Sequence, residues 1–138
     1  IIIDANWGLG EGVVSGAENV DRFVVDKKTL KILDTYIGKK TKQVINKKRG
    51  AGWDDVPLKK RSIPCLSNDE IVTIAKLALL LEEHLGKPQD MEWAIDADST
   101  PLNNLFILQT RPAKVATKKP GSVTDRMIDL MVERFYRP

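Results

Sequence analysis

Cys65 is the only cysteine in the 138 residues, so no intrachain disulfide can form and a reducing compartment is expected, here the cytoplasm. His84 is the only histidine, which excludes a paired-histidine zinc site. Cys65 also has no histidine close in sequence, so a thiol nucleophile activated by a neighbouring base is not indicated. No apolar run reaches the roughly 18 to 20 residues that span a bilayer. The opening "IIIDANWG" has neither a basic leader region nor a small-residue cleavage site, and no initiating Met. It reads as a strand entered midway, and the chain is expected to be part of a longer protein. There are no internal repeats. Ser15 lies in "VVSGA", which is not a nucleophile elbow.

What is present is ordinary for a globular domain: 42% hydrophobic and 30% charged residues, with a net charge of +3. That charge alone does not point to nucleic acid. It is uneven, however. Lys39, Lys40, Lys42, Lys47, Lys48 and Arg49 follow one another with no acid between them. A solvated strand edge and loop explains such a run, since lysines blunt exposed sheet edges. Contact with a polyanion is the alternative.

Along the chain, Ile1–Ile3 begins a strand that feeds the glycine turn "WGLGEG". "DRFVVDKKTLKILDTYIGKK" predicts two strands around a turn at Asp26–Thr29, and 43–46 a third. Residues 47–63, basic and polar with Gly50, Gly52 and Pro57, read as a loop pinned by Trp53. Residues 67–85 are the strongest helix. Ser67 and Glu70 form a capping box, and Ile71, Ile74, Ala75, Ala78, Leu81 and Leu85 make one stripe. Gly86 and Pro88 stop it. "AKVATKKPGS" is a linker by composition, and a last helix is expected over 123–135. Strands, a helix, strands and a helix lack regular βα alternation, so the expected class is α+β with a mainly antiparallel sheet.

Chemistry concentrates in "MEWAIDADSTPLNNLFILQTRP" and the residue before it, Asp90. Residues two apart on a strand share a face. Asp90 and Glu92 therefore point one way, as do Gln109 and Arg111, and pairing the strands can merge the two faces. Two carboxylates, an amide oxygen and a guanidinium then suit a metal–polyphosphate ligand. Trp93, Ile95, Phe106 and Leu108 are expected on the opposite face, against a core. A plain Glu92–Arg111 salt pair on a wet face is the competing reading. The turn "GLGEG" fails the dinucleotide fingerprint at Val13 and lacks a Gly-Lys-Ser/Thr ending, so it is weak evidence for phosphate binding. His84, in the last turn of the helix, is expected to be structural.

Taken together and in order, "NWGLGEGVVSG", "DRFVVDKKT", "PCLSNDEI", "EEHLGKPQDMEWAID" and "LFILQTRP" closely resemble the nucleotide-binding domain of the phosphoenolpyruvate synthase and pyruvate phosphate dikinase family. The resemblance covers 1–112, with 113–138 left as linker and C-terminal helix. It implies the C-terminal part of an ATP-grasp domain. It implies Glu92 and Gln109 as ligands to the Mg²⁺ on ATP, Arg111 as the catalytic phosphate contact, Asp90 in support, and Glu11 as a further nucleotide contact. The family uses ATP to phosphorylate a histidine on a separate swivelling domain. The implied partners are ATP, the missing N-terminal half and that phosphohistidine domain, in the same chain or another, with no membrane or nucleic acid. No "T-x-H-A"-like setting is present and His84 does not match one, so this stretch alone is expected not to turn over. Phenylphosphate synthase-like and rifampicin phosphotransferase-like proteins, which pass the phosphoryl group to other acceptors, are alternatives. So are a non-catalytic polyanion-binding module and a purely structural piece.

Overall fold

The computed structural model describes residues 1–14, 19–48, 50–96 and 104–114. The expected linker and helix after 114 lie outside the described residues. Three antiparallel units and one main helix make up the described residues, in keeping with the α+β expectation, and the helix packs on β2 and β6. β1 (Ile2–Ala5), β2 (Asp21–Val25) and β3 (Ile32–Tyr36) form a sheet in that order. β4 (Lys42–Lys47) pairs with β5 (Gly50–Asp55), and β6 (Gln89–Ile95) with β7 (Leu105–Pro112). α1 (Glu11–Val14) is a single turn, and α2 (Asn68–Leu85) is the main helix.

Alternation along β1 and β2 sends Ile3, Ala5, Phe23 and Val25 to one side, where all are buried. Ile71, Ile74 and Ala75 of α2 meet them in the same core. Met91, Trp93, Ile95 and Leu105 pack on this cluster from the third unit. The β2–β3 turn is closed by Asp26, whose Oδ1 accepts from the Lys28 and Thr29 amides at 3.1 and 2.7 Å. Lys27 then reaches Glu82 of α2 at 2.7 Å, tying the turn to the helix end.

α2 starts as expected. Ser67 Oγ accepts from the Glu70 amide at 3.3 Å, and Glu70 Oε2 accepts from the Ser67 amide at 2.7 Å. It ends at Gly86, whose φ of 69° is the left-handed stop that glycine adopts without a Cβ penalty.

Two expectations are corrected. The stretch 47–63 is not all loop, because Gly50–Asp55 is a full strand in register with β4, from Lys42↔Asp55 to Lys47↔Gly50. Two glycines and two aspartates hide its strand character, and cross-strand pairing supplies what propensity does not. Trp53 is about half exposed rather than pinning the segment. Second, the lysine run is not uniformly solvated. Lys40 is fully buried and ion-paired to the equally buried Asp21. Asp21 Oδ1 also accepts from the Gly38 amide at 3.0 Å, and Oδ2 from the Cys65 amide at 2.8 Å. Lys40 Nζ donates to Gly38 O at 3.0 Å as well. Every charge in this node is thus answered, as burial requires.

Removing one partner of a buried pair strands the other charge. Asp21→Ala is expected to cost about 3–5 kcal/mol, and Arg22→Ala, which breaks only the exposed pair with Asp4, less than about 1 kcal/mol. Urea denaturation of the two variants checks the contrast. Burial pushes the Cys65 thiol pKa up, aided by the neighbouring Asp21 carboxylate. The folded thiol keeps its proton after the unfolded one has lost it, so this group's contribution to stability falls as pH rises above the unfolded thiol range near about 8.5. Thiol labelling at pH 8 is expected to be more than about tenfold slower in the folded chain than in urea.

Candidate functional site

The chain leaves α2 at Gly86, turns through Pro88 and enters β6. Ala113 N donates to Pro88 O at 2.9 Å, extending the ladder one step past β7. In register, Asp90 faces Arg111 and Glu92 faces Gln109. Directly opposed residues share a face, so the four candidate side chains do lie together. Arg111 Nε and Nη2 donate to Asp90 Oδ2 at 2.9 and 2.8 Å. The salt-pair reading therefore holds for Asp90, not for Glu92. Neither the Glu92 carboxylate nor the Gln109 amide has a hydrogen-bond partner among the described residues. Asp90 and Arg111 are each more than half exposed, so the pair is wet.

An open cleft of about 530 Å³ lies at this end of the hairpin. Ile2 of β1 lines it together with Asp90, Arg111, Pro112 and Lys114. Ile2 and Lys114 had no signal of their own in the sequence, since the cleft joins residues more than a hundred positions apart.

The opposite face differs from the sequence expectation. After Glu92↔Gln109 the register shifts, and Trp93 faces Ile107, Ala94 faces Phe106 and Ile95 faces Leu105. Leu108 is thus the extra residue of a β-bulge. One added residue reverses the alternation beyond it. Leu105 goes to the core beside Trp93 and Ile95, while Phe106, 48% exposed, turns to the Glu92–Gln109 face. Phe106 and Leu108 therefore do not pack the core.

Glu11 stands apart from these four. It is exposed at the head of α1, which packs on β4. Its glycine turn is held there by Leu9 N donating to Val44 O at 2.7 Å. A Cβ on Gly8, at φ +82°, would meet Val44 O at 2.2 Å. Close approach to β4 accounts for that glycine without a ligand. Trp7 adds to the anchorage by donating Nε1–H to Lys60 O at 3.0 Å.

Two oxygen donors beside a guanidinium, without a partner among the described residues and with Gln109 exposed and Glu92 half-buried, fit a metal-bound anion better than a closed metal cage. Consistently, no cluster of three or more His, Cys, Asp or Glu suited to a metal occurs among the described residues. Comparisons with known proteins supply the family. Residues 1–130 match the family described as "Pyruvate phosphate dikinase, AMP/ATP-binding domain". The chain is 40% identical over 122 residues to the probable phosphoenolpyruvate synthase of Methanocaldococcus jannaschii, covering 88% of this chain and 10% of that protein. It is 42% identical over 119 residues to the probable phosphoenolpyruvate synthase of Pyrococcus horikoshii, covering 81% and 14%. Against the phosphoenolpyruvate synthase of Escherichia coli it is 38% identical over 136 residues, covering 91% and 16%. The chain belongs to the pyruvate phosphate dikinase AMP/ATP-binding domain family, and it spans only 10 to 16% of the length of these three relatives. No helix among the described residues is long and apolar enough to cross a membrane.

Because Asp90 and Arg111 pair in solvent, the pair contributes little to folding. Arg111→Ala and Glu92→Gln are each expected to change unfolding free energy by less than about 1 kcal/mol. Equilibrium denaturation checks this. A larger loss would make the face structural.

Proposed function

We propose that this chain is the metal- and phosphate-holding part of an ATP-grasp nucleotide site, within a phosphoenolpyruvate synthase-like dikinase. The observation that carries the reading is the register of β6 on β7, which opposes Glu92 to Gln109 and Asp90 to Arg111 on one open face. Glu92 and Gln109 supply oxygen donors of the kind Mg²⁺ takes alongside substrate phosphates and water. When bound there, Mg²⁺ would neutralise charge on the ATP phosphates.

This chain's own residues do the positioning. Asp90 engages Nε and Nη2 of Arg111 through a single oxygen, which fixes the guanidinium plane and leaves its remaining N–H groups for phosphate oxygens. Arg111 thereby stabilises charge as the phosphoryl group leaves ATP, where positioning and electrostatics dominate. In this reading the acceptor is a histidine on a separate domain of the longer protein, and Glu11 is a weaker nucleotide contact near the glycine turn. The whole protein works in the cytoplasm. The polyanion-module alternative loses one of its cations, since Lys40 is committed to Asp21.

In the full-length protein, Glu92→Gln is expected to abolish phosphohistidine formation from Mg·ATP while the unfolding transition stays in place. Radiolabel from ATP labelled at both its β- and γ-phosphates, retained on the protein under alkaline conditions, reports it. Normal labelling in that variant would remove Glu92 from the site. Nucleotide binding that falls steeply with salt and ignores Mg²⁺ would favour the lysine patch instead.

A further inference from the structure

The bulge at Leu108 gives the site face a third rung. Reading along it, Asp90 faces Arg111, Glu92 faces Gln109, and Ala94 faces Phe106. Successive rungs on one face are about 7 Å apart, so Phe106 lies on the order of 14 Å from Arg111 along the strands. The order runs from the Asp90–Arg111 ion pair, with its spare guanidinium N–H groups, through oxygen donors to an aromatic ring, on one surface and in one direction. A nucleoside triphosphate has the same polarity, with an anionic tail, a metal at its phosphates and a flat base at the other end.

Phe106 is the aromatic residue that β7 places on the site face. Leu105 packs on the core, Ile107, 38% exposed, faces Trp93, and Leu108, 62% exposed, is the bulge residue, whereas Phe106, 48% exposed, lies opposite the smallest side chain of β6. Ala94 leaves the flank of the ring open. An aromatic ring presented this way offers a stacking surface to any heterocyclic base.

We infer that Phe106 is a positioning residue that stacks on the nucleotide base, setting the direction in which the ligand lies along the hairpin. Arg111 and the Glu92–Gln109 rung take the polyphosphate end. The inference rests on the nucleotide reading above and extends it to the base. Stacking tolerates different bases, so this contact strengthens nucleotide binding over bare polyphosphate without choosing adenine.

The test compares Mg·ATP and Mg·tripolyphosphate binding to the full-length protein by calorimetry, for the parent, Phe106→Ala and Phe106→Tyr. Phe106→Ala is expected to weaken ATP binding about tenfold or more while tripolyphosphate binding stays within about twofold of the parent. Phe106→Tyr keeps both. Tripolyphosphate binding doubles as the check that the site is folded. Unchanged ATP affinity in Phe106→Ala would overturn the stacking role and leave the metal–phosphate reading intact. Equal weakening of both ligands would overturn it too, making the ring a support of the hairpin. A parent protein that binds neither ligand would overturn the nucleotide reading and this inference with it.

Discussion

The buried Asp21–Lys40 pair organises the molecule. Asp21 ends the pairing of β2 with β1, opposite Ala5, and its two oxygens draw two distant pieces of chain to β2. Lys40 and Gly38 come from the connection between β3 and β4, and Cys65 from the segment that leads into α2. A carboxylate with no access to water must find all its donors in the fold, so the three pieces can meet only one way. Leu66 and the Ser67 cap follow Cys65 directly. The start of α2 is thereby set against β2, and α2 in turn carries the apolar side of β6.

Stability and site chemistry are housed separately. The charges that matter for folding lie inside, with Arg61 O and the Asp21 node closing around Lys40. The charges with chemical potential lie on the open face of β6 and β7, where water competes for them and little folding energy depends on them. The hairpin's other face supplies its anchorage through Met91, Trp93, Ile95 and Leu105. A two-stranded ribbon is marginal by itself, and packing on α2 and the core is what makes it a usable platform.

Legibility in the sequence followed the range of the interactions. α2 was readable to within a residue because its cap, stripe and stop are local signals. The β2–β3 turn was readable from Asp26 and Thr29 for the same reason. The shared face of Asp90, Glu92, Gln109 and Arg111 was readable because alternation and a short hairpin suffice. β5 was missed, since Gly50, Gly52 and two aspartates hide a strand that only β4 stabilises. Lys40 was missed because its partner is 19 residues away and nothing local marks a lysine for burial. The side of Phe106 was missed because one inserted residue, Leu108, reverses all alternation before it, and no composition rule flags a bulge.

That reversal gives β7 two reading frames. From Gln109 to Arg111 the odd positions face the site, while from Leu105 to Ile107 the even position does, and Leu108 is the frameshift between them. Deleting Leu108 would make the pairing regular and still leave Phe106 two positions from Gln109 on one face, whereas closing the bulge with Leu108 retained would turn the ring to the core side and Leu105 outward. For this strand, spacing is as much a part of the inherited information as residue identity.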